Sequence, residues 1–285
     1  MIRLDQVSKA FRRNRVLDGV SLEIGLGERV ALIGSNGAGK TTLIRCLLGE
    51  YTFDGGIEID GRCPRRNRTA VLASVGFVPQ LPPPLKMPVG QLIGFAAGLC
   101  GTDPRRISEL AGRLGLDTAP IRDRPLVRLS GGMKQKLLIA IAMGRDAKLL
   151  IMDEPAANLD PEARKIFFEL LAERVDSTTM LISSHRLNEV SALVNRVVEL
   201  DTGRVVLDDR VADDVSLTGM LACRISVKRA EAALAKALSS WNFTDLGGGL
   251  EWAGSVAGPD RLRFLGMTSR YVALISALNL TEADN

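Results

Sequence analysis

The stretch ALIGSNGAGKTTLIRCLLG, from Ala31 to Gly49, sets Gly34, Gly37 and Gly39 just ahead of Lys40, Thr41 and Thr42. Glycines this close let the backbone bend until consecutive N–H groups face one anion, and a helix starting there adds its positive end. Residues Gly34 to Thr41 fit GxxxxGK[ST], after an apolar strand-like run and at the opening of a helical pattern. A glycine-rich turn would account for the glycines but not for that strand–loop–helix setting. The expected ligand is the triphosphate of ATP. Ser35, Asn36, Gly37, Ala38, Gly39 and Thr42 belong to the cradle, Lys40 reaches the β- and γ-phosphates, and the Thr41 hydroxyl binds Mg²⁺.

Two further stretches carry matching chemistry. LLIMDEP (Leu149–Pro155) is an apolar strand ending in two acids. At the C-terminal edge of a parallel strand Asp153 can reach the metal, and Glu154 can polarise a water against the γ-phosphate. Acids at a strand end are ordinarily solvated caps, but beside a phosphate loop the catalytic reading prevails. LSGGMKQ (Leu129–Gln135) precedes a helix, with Ser130 typed for the N-cap and Gly131 and Gly132 leaving N–H groups free for an anion. It is a second phosphate-binding helix start in a chain with one nucleotide.

The elements that must position these groups follow from the pattern. RVALIG (Arg29–Gly34) reads as a buried strand, and KTTLIRCLLG as a helix stopped by Gly49. GGIEIDG alternates like a short strand, whereas PQLPPPLKMP is too rich in proline for a regular element. From about Val89 to Arg145 the pattern is mainly helical, which predicts a helical subdomain inserted in an α/β core. KLLIMDEP and TTMLISSH read as buried strands with a helix over Pro161–Arg174 between them, implying right-handed crossovers and a mostly parallel sheet. After about Asp214 the character changes. MLACRISV reads as a strand and AEAALAKALSSW as an amphipathic helix; a glycine turn at Gly247–Gly249 follows, and a last helix is expected over about Ser269–Leu278. Residues 1–215 are thus read as the main domain, with its helical subdomain at about 85–145, and residues 216–285 as a small α+β domain.

The chain has 285 residues, 46% hydrophobic and 25% charged, which allows a sizeable core. The net charge of +4 is a mild excess, its densest cluster is the short run Arg62–Arg68, and aromatics make up only 4%, so no nucleic acid is expected as a partner. Cys46, Cys63, Cys100 and Cys223 stand far apart and read as reduced thiols. The N-terminus lacks the apolar core of a signal peptide, and no apolar run approaches a membrane span. A cytoplasmic protein is expected.

The phosphate loop, LSGGMKQ, LLIMDEP, NLD (Asn158–Asp160), Gln80 in GFVPQ and the single histidine in SSH occur together and in order. That set resembles the ATP-binding subunit of ATP-binding cassette (ABC) transporters over residues 1–215. The resemblance implies a P-loop NTPase core with an antiparallel β subdomain, and two copies paired head to tail, each ATP lying between the loop of one and the LSGG helix of the other. Carried over, Ser130 and Gly132, with Gly131 between them, contact the γ-phosphate held by the partner. Gln80 touches Mg²⁺ and the attacking water, Glu154 is the general base, His185 contacts the γ-phosphate, Asp160 couples the two sites, and Phe11 stacks on adenine. The resemblance also implies an integral-membrane permease subunit and a peripheral place on the cytoplasmic face of the membrane.

The chain departs from the family pattern in places. Met133 stands where glutamine is commoner, a variant associated with exporter-type (ABC-2-like) members. Ala156 and Ala157 follow DEP where a threonine is frequent. Leu81 follows Gln80 where many members have an acid, which predicts a more apolar contact with the membrane partner. One set of motifs and no sustained heptad run weigh against a soluble ABC ATPase acting on ribosomes or DNA. The intact Lys40, Asp153, Glu154 and His185 weigh against a non-catalytic regulatory subunit.

Overall fold

A computed structural model describes residues 1–175, 177–185, 190, 193–210, 220–257 and 260–282. They fall into two compact units, one of residues 1–185 with 193–210 and one made chiefly of residues 220–282. The expected boundary after residue 215, near Asp214, lies outside the described residues.

The first unit opens with β1 (Ile2–Phe11) and β2 (Asn14–Ile24), then β3 (Arg29–Ile33), the glycine loop and α1 (Lys40–Leu47). Next come β4 (Asp54–Ile59), the short α2 (Arg68–Ala73) and β5 (Val75–Val78). The proline-rich run forms nothing more regular than one bridge, Pro88 to Pro125. The helical stretch follows as α3 (Val89–Cys100), α4 (Pro104–Arg113), a 3-10 turn at Leu126–Arg128 and α5 (Gly131–Gly144). The unit closes with β6 (Leu149–Asp153), α6 (Pro161–Ala172), β7 (Thr179–Ser183), β8 (Arg196–Asp201) and β9 (Arg204–Arg210).

Every residue of β6 and β7 is buried, Asp153, Thr179 and Ser183 included, because Leu149–Met152 and Met180–Ile182 are apolar on both faces. Such runs suit a parallel sheet covered on both sides. They lie in the middle of a six-stranded sheet of order β5-β6-β7-β3-β8-β9, parallel except for β9, which pairs antiparallel with β8. A separate antiparallel sheet, β2-β1-β4, packs into the same core, where Leu4, Leu22 and Ile57 meet Leu32, Ile44 and Leu47. Helices α3 to α5 close on their own core of Leu92, Ile93, Ile107, Leu126 and Leu137. Each such side chain contributes about 1.5–3 kcal/mol when fully buried. This is the α/β class expected, with the antiparallel sheet and the inserted helices in place.

Arg196 is one of the charged side chains buried in this unit. The Arg196 guanidinium on β8 donates to the Glu23 carbonyl and to Glu28 Oε2, each at 2.6 Å, and to both Asp208 oxygens at 2.7 Å. It joins the end of β2 and the turn before β3 to β9.

The second unit runs β10 (Met220–Val227), α7 (Ala232–Ser240), β11 (Thr244–Asp245), β12 (Glu251–Ala257), α8 (Arg261–Ser269), β13 (Ile275–Glu282). Its sheet order β11-β12-β10-β13, antiparallel throughout, is the split βαβ arrangement. β10 alternates: Leu221, Cys223, Ile225 and Val227 are buried, while Met220, Ala222 and Arg224 are exposed. Phe264 is the hub of the core, stacked on Phe243 at 5.1 Å and edge-on to Trp241 at 5.2 Å. The helix expected over Ser269–Leu278 is not there. The chain is helical earlier, over Arg261–Ser269, and extended afterwards, because Leu278 and Leu280 pair with Ile225 and Cys223 of β10.

Candidate functional site

The loop between β3 and α1 takes its shape from left-handed glycines: φ is 149° at Gly34, 87° at Gly37 and 109° at Gly39. Two of them also have no room for a side chain. A Cβ on Gly34 would lie 2.2 Å from the Leu200 carbonyl oxygen, and one on Gly39 would lie 2.9 Å from Leu17. Beneath the loop is the turn between β8 and β9. The Gly203 N–H donates to the Ala38 carbonyl (3.0 Å), and its own carbonyl accepts from the Asp18 N–H (2.9 Å).

Lys40 is buried and folds back, Nζ donating to the carbonyls of Gly34 (2.7 Å) and Ser35 (3.2 Å). Burial lowers its pKa, while the charges of Glu154 and Asp153 act the other way. An anion arriving at the loop would therefore find a poorly solvated cation, which strengthens their attraction. Asn36, Gly37, Ala38, Gly39, Lys40, Thr41 and Thr42 line a cleft of about 300 Å³ together with Gln80, Glu154 and Val16.

Glu154 and its neighbours are held from β6 and β7. Asp153 is buried, and its Oδ1 accepts from Ser183 Oγ at 2.6 Å. The Glu154 N–H goes to Ser183 as well, to Oγ at 2.9 Å and the carbonyl at 3.2 Å. His185 Nδ1 lies 3.5 Å from Glu154 Oε2, with the histidine half-exposed and the glutamate nearly buried. A carboxylate and an amide thus line the phosphate-binding cleft from beyond the ends of β6 and β5, with the His185 imidazole after β7 set against the carboxylate, an arrangement able to orient a water and take its proton.

Other expected residues do not line this cleft. Ser130 caps α5, its Oγ accepting from the Met133 N–H at 3.2 Å, and is exposed like Gly131; Gly132 is half-buried beside it. Asp160 caps α6 by accepting from the Ala163 N–H (2.9 Å) and pairs with Lys136 of α5 at 2.8 Å. The Ala163 N–H, and after it Lys136, hold the Asp160 carboxyl below its ordinary value. Phe11, 40% exposed, stands edge-on to Tyr51 at 5.2 Å with Lys9 Nζ over its ring, and it is Val16 that supplies an apolar wall of the cleft.

Thr41, Gln80 and Asp153 offer a hydroxyl, an amide and a carboxylate, a set of oxygen donors of the kind Mg²⁺ prefers. Among the described residues no three His, Cys, Asp or Glu side chains gather to hold a metal alone. The donor set therefore fits an ion that also takes phosphate oxygens. Sequence reasoning missed Val16, Ser183 and Gln135. Val16 is one apolar residue in a strand, and Ser183 lay in the quoted SSH without a role. Gln135 ended the quoted LSGGMKQ, and only the structure shows its Nε2 donating to the Pro155 carbonyl at 2.9 Å.

Among the described residues no helix is long and apolar enough to cross a membrane. The ABC transporter family profile matches residues 17–157. Nod factor export ATP-binding protein I of Paraburkholderia xenovorans is 37% identical over 218 residues, spanning 73% of this chain and 70% of that protein. Phosphonates import ATP-binding protein PhnC 1 of Natronomonas pharaonis is 34% identical over 217 residues, spanning 73% of this chain and 93% of that protein. A solved ATP-binding subunit of an ABC transporter superposes with a TM-score of 0.68 at 28% identity, covering 75% of this chain and 91% of its own. With the glycine loop, the two acids and the capped LSGG helix in these places, the chain belongs to the ABC transporter family as an ATP-binding subunit.

Proposed function

We propose that this ATP-hydrolysing subunit works as half of a paired clamp that drives a separate integral-membrane permease, in the export class. Lys40 would leave the carbonyls of Gly34 and Ser35 for the β- and γ-phosphates, and the loop N–H groups would take the remaining oxygens. Gln80 would orient a water against the γ-phosphorus, His185 would contact the γ-phosphate, and Glu154 would accept the water's proton as the new P–O bond forms. The bond to the β-phosphate oxygen then breaks, and ADP and phosphate leave. Mg²⁺, held by Thr41, Gln80 and Asp153, would neutralise charge on the phosphates.

Pairing with a second copy rests on the separation of the two anion sites. Ser130, Gly131 and Gly132 open α5 outside the cleft of their own chain and are free to meet the γ-phosphate on a partner, with Asp160 nearby to couple the two sites. The closed pair is favoured only while the γ-phosphate bridges it, so hydrolysis shifts the population to the open form. The permease would sense this through Gln80 to Pro84, where Leu81 is 74% exposed, giving the contact an apolar character. Phe11 remains the candidate for adenine, on a peripheral subunit at the cytoplasmic face. The export reading rests on Met133. Residues 216–285 are assigned to holding the pair together, and unaltered dimerisation after truncation at Asp214 would remove that role.

The observation that carries the reading is the meeting of Lys40, Gln80 and Glu154 in one cleft. The test is steady-state ATPase of the wild type against Glu154→Gln, with ATP-dependent dimerisation followed by sizing. Turnover should fall at least about 100-fold while an ATP-bound dimer accumulates. Equal turnover in both proteins would refute the assignment.

A further inference from the structure

Glu154 lies in the left-handed region, at φ 46°, where a non-glycine residue stays only when its surroundings hold it. It is held on both sides. Upstream, its own N–H is fixed on Ser183 of β7. Downstream, the carbonyl of the next residue, Pro155, accepts from Gln135 Nε2 at 2.9 Å. Gln135 is on the second turn of α5, is fully buried, and its Oε1 has no hydrogen-bond partner. Turning the amide over would not help, since it would set two acceptors against each other. A buried acceptor without a partner is unfavourable, so filling space does not account for an amide here, whereas the bond to Pro155 does.

We propose that Gln135 is a positioning residue for hydrolysis: by holding the Pro155 carbonyl it locks the left-handed turn that keeps the Glu154 carboxylate in the cleft. The inference rests on Glu154 being the general base. Gln135 also belongs to the helix whose first turn carries Ser130, and that helix is docked on residues 155–160 at two further points. A Cβ on Gly132 would lie 3.1 Å from the Asn158 carbonyl oxygen, and Lys136 bonds Asp160. The start of α5 and the Glu154 turn are thus packed together through Gln135, Gly132 and Lys136. A γ-phosphate brought to Ser130 by a second copy would then bear on the base of the chain it touches, not only on the ATP it belongs to.

The test compares the full-length wild type, Glu154→Gln, Gln135→Met and Gln135→Glu. Methionine keeps the length of the side chain without the donor, and a buried glutamate can donate only when protonated. Gln135→Met should lower kcat about 10- to 100-fold, as a small misplacement of a catalytic group does, with KM for ATP and Tm unchanged. Gln135→Glu should regain turnover as the pH falls from about 8 to about 6, where the wild type does not. A Gln135→Met enzyme with wild-type kcat, or one whose loss follows a fall in Tm, overturns the proposal alone. A wild type without turnover, or a Glu154→Gln variant that keeps it, overturns the base assignment and this proposal together.

Discussion

The two units bury different things. Among the described residues of the first, Lys40, Gln135, Asp153, Ser183 and Arg196 are all buried polar or charged groups, each with a named partner. In the second, Thr268 is the one described polar side chain in that state, around a core of Phe243, Trp252 and Phe264. Burying charge is unfavourable unless each group is paired, and it is tolerated where the low-dielectric setting sharpens a reaction. The first unit carries that burden for chemistry, whereas the second is organised for packing.

The largest test of this contrast is Phe264→Ala, which should destabilise the second unit by about 3–5 kcal/mol in calorimetry while the first unit keeps its affinity for ATP. Loss of ATP binding in step would mean the units are not independent. Lys40→Ala should do the reverse. Turnover falls about 100- to 1,000-fold, while Tm holds or rises because a poorly solvated cation has gone. Arg196→Met should cost about 3 kcal/mol, near the lower end for a broken buried pair because Asp208 is partly in water. Urea unfolding would measure it, and a neutral result would show that the charge is not structural.

The finest test uses one thiol from each unit. Burial pushes Cys46 in α1 and Cys223 in β10 up to about 11, so both are inert at neutral pH until their unit opens. ATP should slow alkylation of Cys46 several-fold and leave Cys223 unchanged. Equal slowing would show that the units open together.

The same contrast explains what could be read from the sequence. The loop, the two acids and the central strands were legible because glycine spacing and continuous apolar runs are local signals. Gln135 and Ser183 were not, since their partners lie 20 and 29 residues away and a lone polar side chain gives no sign of where it is buried. In the second unit Tyr271, Leu274, Ile275 and Leu278 have the spacing of a helical face, yet pairing with β10 draws Ile275 and Leu278 into a strand. Tertiary contact outweighed periodicity there, as it readily does over a short segment. The Arg-rich approach to α2 hid a helix of 6 residues behind turn-forming types.

The turn at Gly203 has a consequence for the order of events during synthesis. The phosphate loop emerges from the ribosome roughly 160 residues before the glycine that supports it from below. At about 5–20 residues per second, that leaves the loop without its floor for on the order of ten to thirty seconds. A nascent chain stalled short of Gly203 would display every signature of a nucleotide site yet lack the two backbone hydrogen bonds that this glycine makes beneath the loop, so the complete cradle exists only once the turn after β8 is made.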